Sequence, residues 1–223
     1  MQVKGVIFDM DGTLVDSLMF WGHLWRKIGE RYMGNPDFLP PDEVARAIRT
    51  MIYADAMAYV HGACGIPCER EEFLRFTNDG LTSFYRDVAT PKAGALALLA
   101  DLKAAGMPMV LASATAKREL VYALDLYGML PYFDAVLSCA EIGAGKDKPD
   151  IYLMAAKALG CAPCELCVVE DSYVALETAR AAGFRTVGVF DPYTVGQERL
   201  SAAADIYLAE GETLTALIGE LRA

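Results

Sequence analysis

The chain has 223 residues, 54% of them hydrophobic, and a formal net charge of −10. That length suits one large domain or a domain with a smaller insert, and that apolar content excludes a disordered chain. An acidic chain without a basic run does not suit nucleic-acid phosphates, and no apolar run reaches the roughly 18 to 20 residues of a membrane span.

The N-terminal run MQVKGVIFDMDG meets carboxylates within about ten residues and lacks the apolar centre of a signal peptide, so a cytoplasmic protein is expected. VIF (Val6–Phe8) reads as the first strand, and it ends in Asp9 and Asp11. Residues 18–87 then break the pattern. Leu18, Trp21, Trp25, Ile28 and Tyr32 share a helical face, the NPDFLPPDEV loop opens a second helix, and GIPCEREEF turns into another. From about residue 90 the chain alternates. The strand-like runs are MVLA (Met109–Ala112), AVL (Ala135–Leu137), CVV (Cys167–Val169), TVGV (Thr186–Val189) and DIYL (Asp205–Leu208). Helical spacing separates most of them, and Gly106, Gly128, Gly160 and Gly183 stand where a left-handed C-cap would put them. Alternation of this kind implies an α/β fold with a doubly wound parallel sheet.

Ligands of such sheets bind beyond the carboxyl ends of the strands. After VIF come Asp9 and Asp11. After MVLA come Ser113, Ala114 and Thr115. EIGAGKDKPD, with Lys146 and Lys148, follows AVL, and Glu170, Asp171 and Ser172 follow CVV. Carboxylates crowded together raise one another's pKa, and a hard divalent cation such as Mg²⁺ relieves them. Lysine neutralises a phosphate, hydroxyls and helix-opening amides hold its oxygens, and a carboxylate can serve as nucleophile. Together these are the parts of a phosphoryl-transfer site.

Asp16 and Ser17 read as the cap of the next helix, and His23 and His61 as packing or surface residues of the helical stretch. Trp21, Trp25 and Phe20 read as packing, and Arg49 as a solvated helix residue. Thr115 is as much the start of its helix as a phosphate ligand. The cysteines, CAPCELC (Cys161–Cys167) included, read as reduced thiols rather than a metal site.

DMDGTLVDS, LASAT (Leu111–Thr115), GKDKPDIYL (Gly145–Leu153) and VVEDSYVALETARAAG (Val168–Gly183) resemble, in order, the four motifs of the haloacid dehalogenase-like hydrolases of subclass I. Phosphoglycolate phosphatases and β-phosphoglucomutase-type phosphatases are of this kind. The resemblance implies a Rossmann-like core over 1–17 and 88–223 and a helical cap over 18–87. It implies Asp9 as nucleophile and Asp11 as general acid/base. Mg²⁺ would be held by Asp9, the Asp11 carbonyl, Asp171 and, more remotely, Glu170. Phosphate would be held by Ser113, Ala114 and Thr115, with Gly12 and Thr13 beginning the mobile turn. Lys148, directly before Pro149, is expected to neutralise Asp9 and the phosphoryl group, with Lys146 as the fallback. The family often has KPxPD here, and this chain lacks its second proline after Lys148. Where β-phosphoglucomutases carry a histidine at the start of the cap, this chain has Trp21, which weakens a mutase reading. Asp11 argues against dehalogenation.

The expected activity is therefore hydrolysis of a small phosphorylated metabolite through an aspartyl-phosphate. The alternatives are a phosphosugar mutase and a non-catalytic phospholigand-binding protein. Neither nucleic acid nor membrane is an expected partner, and the expected state is a monomer or weak homodimer.

Overall fold

The computed structural model describes residues 3–48 and 51–222. Its centre is a six-stranded, wholly parallel sheet. The strands are β1 (Gly5–Phe8), β4 (Met109–Ser113), β5 (Ala135–Ser138), β6 (Leu166–Glu170), β7 (Arg185–Val189) and β8 (Ile206–Leu208). They lie in the order β5-β4-β1-β6-β7-β8. All six expected strands are present, each within about one or two residues of its apolar run.

Successive strand residues point to opposite faces. Val6, Phe8, Met109, Leu111, Cys167 and Val169 enter one buried cluster. Ile7, Val110, Ala112, Leu166 and Val168 enter a second, on the other face. Both faces are covered by helices, which is why these strands read as unbroken apolar runs. The helices are α5 (Ala95–Ala104), α6 (Lys117–Leu126), α7 (Cys139–Ile142), α8 (Asp150–Leu159), α9 (Tyr173–Ala181), α10 (Gln197–Ala203) and α11 (Leu217–Arg222). In α8, Asp150 in the first turn and Lys157 in the last both suit the helix dipole. Its inward face is Ile151, Tyr152, Ala155 and Ala156, and it stops at Gly160, whose φ of 64° is left-handed.

The stretch between β1 and β4 holds α1 (Phe20–Ile28), α2 (Asp42–Ala47), α3 (Tyr53–Ala63) and α4 (Arg70–Asp87). The buried face of α1 is Phe20, Leu24, Trp25 and Ile28. Trp21, placed on that face by the heptad-like spacing, is only half-buried and stacks on Trp25, ring centroids 5.5 Å apart. Arg49 lies outside the described residues.

Short strands β2 (Val15–Asp16) and β3 (Thr90–Pro91) pair antiparallel and bring the two ends of the helical stretch together. Two residues apiece are too few to show a period in sequence. Asp16 and Ser17 do not cap α1, whose N-cap is Met19 with no side-chain cap bond. Asp16 instead faces Lys92, just beyond β3, at 2.9 Å, and Lys92 also reaches Asp191 beyond β7 at 2.9 Å. The Lys92 side chain is 13% exposed and that of Asp191 2%. Burial works against the Lys92 ammonium, but its two carboxylate partners hold its pKa above the usual lysine value.

Removing one partner of a buried ion pair strands the other charge. Lys92→Ala is therefore expected to cost about 3 kcal/mol of unfolding free energy, read by urea denaturation.

Candidate active site

The strand order reverses at β1: β4 and β5 follow on one side, β6 to β8 on the other. Such a switch point opens a crevice at the carboxyl ends of the flanking strands. The register pairs Phe8 with Val169, so Asp9 and Glu170 leave β1 and β6 side by side. The Asp9 amide donates to the Val169 carbonyl at 3.0 Å and keeps the two chains together there.

Asp9, Glu170 and Asp171 are buried, and one carboxylate oxygen from each falls within 4.8 Å of the others. Among the described residues this is the one cluster of three or more such side chains that could hold a metal ion. Lys146 is the counter-charge. Its ammonium donates to Asp9 Oδ1 at 2.5 Å and also to Glu170 Oε1. Burial disfavours that ammonium, yet Asp9 and Glu170 outweigh it and hold its pKa well above the usual value.

One ammonium facing three carboxylates leaves an excess of negative charge. Burial, reinforced by Glu170, pushes Asp171 up to about 7, against a hydrogen bond from Thr194. Asp9 is pushed well up by burial, with Lys146 opposing. An all-oxygen, electron-rich set that cannot ionise comfortably by itself suits a hard divalent cation.

Glu170 and Asp171 are also held by uncharged donors. Glu170 accepts from the Tyr152 hydroxyl at 3.2 Å and the Ser172 amide at 3.2 Å. Asp171 accepts from Thr13 Oγ1 at 3.1 Å and Thr194 Oγ1 at 2.6 Å. Gly12, at φ 86°, presses against Asp171, and a Cβ there would lie 2.7 Å from its carboxylate. Only glycine meets both demands.

Asp11 is placed differently. Its carboxylate is not in the trio and accepts three hydroxyl donors: Ser17 Oγ at 2.7 Å, Tyr85 Oη at 2.7 Å and Thr115 Oγ1 at 2.9 Å. Ser113 is buried at the end of β4, and its Oγ accepts the Thr115 amide at 3.1 Å. Ser138 Oγ donates to the Thr115 carbonyl at 2.7 Å and secures the same loop from β5. Ala114 is half-buried between them.

The lysine expectation needs correcting. Lys148 is exposed, and the lysine on Asp9 is Lys146. The Lys148 amide closes a turn onto the Gly145 carbonyl at 3.1 Å, which turns residue 146 inward and leaves 147 and 148 in solvent. Adjacency to Pro149 was the misleading signal. Counting back from Pro149 as the second proline of KPxPD gives Lys146.

Tyr85, Tyr152 and Thr194 were not anticipated. Thr194 had a usable signal, because FDPYT directly follows the TVGV strand at the same end of the sheet. The two tyrosines had none, since both lie inside helices whose facing partners are distant in sequence. Cys161, Cys164 and Cys167 are free thiols. His23 packs edge-on to Phe84, and a His61 ring nitrogen bonds the Cys68 carbonyl at 2.8 Å.

A family model described as "haloacid dehalogenase-like hydrolase" matches residues 3–183. The chain is 31% identical to hexitol phosphatase A of Escherichia coli (strain K12), over 86% of this chain and 85% of that one. It is 27% identical to a phosphorylated carbohydrates phosphatase of Thermotoga maritima, over 96% and 98%. A HAD family hydrolase from Deinococcus radiodurans R1, solved with bound phosphate and sodium, superposes with a TM-score of 0.71 at 26% identity, covering 99% of this chain and 98% of that one.

The raised Asp171 pKa sets the sign of a pH effect. Between its ordinary 3.8 and about 7 the folded chain holds a proton that the unfolded chain has released. Stability of metal-free protein therefore falls as pH rises through that window, and the penalty is complete above it. A cation needs the ionised carboxylate, so its stabilisation grows in the same direction. The melting temperature in chelator is expected to fall from about pH 5 to about pH 8, with the Mg²⁺-induced increase larger at the higher pH. A Mg²⁺ increment that is flat with pH would contradict this account.

Proposed function

The chain belongs to the haloacid dehalogenase-like hydrolases and is a phosphoric monoester hydrolase; on that premise we propose that it is a Mg²⁺-dependent phosphatase of a small phosphorylated carbohydrate or related metabolite. One observation carries the reading. Asp9 sits at the switch point of a parallel sheet, ion-paired to Lys146 and within reach of the Glu170 and Asp171 carboxylates.

The reaction runs in two steps. Asp9 attacks phosphorus and the ester oxygen departs, forming an aspartyl-phosphate. Asp11 gives a proton to the departing oxygen, then takes one from the water that cleaves the aspartyl-phosphate. Lys146 holds Asp9 in its attacking position and offsets charge on the phosphoryl oxygens. Ser113, the Ala114 amide and Thr115 receive those oxygens, and Gly12 with Thr13 shapes the turn beneath them. Asp9, Glu170, Asp171 and the Asp11 carbonyl would hold Mg²⁺, which supplies charge stabilisation to the transferring phosphoryl group.

Residues 18–87 act as the cap that limits water at the site, over a core formed by 1–17 and 88–223. The hexitol and carbohydrate phosphatases similar to this chain make sugar and polyol phosphates the first substrates to test.

Asp9→Asn is expected to lower Mg²⁺-dependent phosphate release by at least about a thousandfold, measured with p-nitrophenyl phosphate. Full activity in that variant would remove Asp9 as nucleophile. Lys146→Ala should lose about a hundredfold while Lys148→Ala stays near wild type. A requirement for a sugar bisphosphate during turnover would point to mutase chemistry instead.

A further inference from the structure

Three hydroxyls surround the Asp11 carboxylate, and they come from three parts of the chain. Ser17 follows β2, Thr115 follows β4, and Tyr85 lies in the last turn of α4, at the end of the helical stretch. Of these donors, Tyr85 alone belongs to residues 18–87. It is also built into place. Its side chain is fully buried, and its backbone carbonyl accepts the Tyr127 hydroxyl at 2.6 Å. Tyr127 also reaches the Ala89 carbonyl at 3.2 Å, so a residue of the core pins the end of α4 on both sides of its last turn.

The two carboxylate oxygens are not equivalent. Ser17 and Tyr85 both donate to Oδ1, while among the described residues Thr115 alone meets Oδ2. An oxygen already accepting two hydrogen bonds has little room for a proton of its own. The Tyr85 hydroxyl is fully buried and donates to Oδ1 at 2.7 Å. The Thr115 hydroxyl can rotate. It donates when Oδ2 is bare and accepts when Oδ2 is protonated.

We propose that Tyr85 is a positioning residue for Asp11: with Ser17 it anchors Oδ1 and leaves Oδ2 as the oxygen that delivers the proton to the leaving group. The inference rests on Asp11 being the acid/base of the proposed reaction. As the bond from Asp9 to phosphorus forms and the ester bond breaks, the proton on Oδ2 passes to the departing oxygen. Asp11 is then a carboxylate. Its Oδ2 accepts a proton from the water that attacks phosphorus and displaces Asp9, which restores the starting state. Through Tyr85 the helical stretch takes part in the proton transfer without touching the substrate.

The test is a leaving-group comparison. p-Nitrophenolate departs readily without a proton, whereas phenolate gains more from one. Tyr85→Phe keeps the buried ring and removes only the hydroxyl. It is expected to lower kcat/KM about tenfold on phenyl phosphate and no more than about twofold on p-nitrophenyl phosphate. Ser17→Ala, which removes the other donor to Oδ1, should show the same split and decides the matter if Tyr85→Phe does not fold. Equal losses on both substrates, or no loss on either, would overturn the proposal and leave Tyr85 a packing residue. Asp11→Asn separates the two levels. If it too leaves phenyl phosphate turnover intact, the acid/base assignment itself fails. If it abolishes that turnover while Tyr85→Phe shows no split, only the positioning role fails.

Discussion

The structure depends on charge crowding. Parallel pairing of β1 with β6 forces Asp9 and Glu170 out of the sheet next to each other, and Asp171 follows at once. Three buried carboxylates in that space cannot all ionise unaided. Lys146 is the answer supplied within the chain, and its position between Asp9 and Glu170 explains why a lysine side chain only 12% exposed stands there. Neutral donors do the rest: Tyr152 on Glu170, and Thr13 and Thr194 on Asp171. Even Gly12 belongs to this constraint, since any side chain there would strike the Asp171 carboxylate.

A second chain of contacts joins the site to the base of the helical stretch. Lys92 ties Asp16, in β2, to Asp191, beyond β7. Asp191 organises its own turn by accepting the Tyr193 amide at 2.9 Å through its carboxylate and the Thr194 amide at 3.1 Å through its carbonyl. Thr194 then reaches Asp171. The segments that lead into and out of the helices thus share partners with the loop that supports one of the site's carboxylates. The Asp11 cluster makes a comparable link, with Tyr85 reaching from α4 onto the residue two positions beyond Asp9.

The strands were legible because both faces of the sheet are covered, so they appear as short apolar, β-branched runs, four of them (those of β1, β4, β5 and β6) closed by a polar residue. Four core helices were legible from spacing and from the glycine beyond each. The helical stretch was legible in kind but not in detail. On α1 the buried face runs through Phe20 and Leu24, with Trp21 turned partly outward. The β2–β3 ribbon escaped because two residues carry no pattern. Within the site, the polar residues directly after the strands could be found by position. The lysine was reachable only through the KPxPD spacing counted back from Pro149, because it lies in a turn between α7 and α8, where hydrophobic periodicity does not say which side faces inward.

By itself, the sequence determined the parallel α/β sheet and the end of it at which Asp9, Asp11, Glu170 and Asp171 gather. Those properties follow from hydrophobic periodicity and from strand connectivity, both of which are local or nearly so. Tertiary structure alone decided that Asp11 turns onto hydroxyls rather than into the carboxylate trio and that Tyr85 and Tyr152 hold the charged groups, and it set Lys146 against Asp9. Apart from Ser17 on Asp11, these contacts join residues 18 to 137 positions apart, and their geometry exists only once the helices are packed against the sheet.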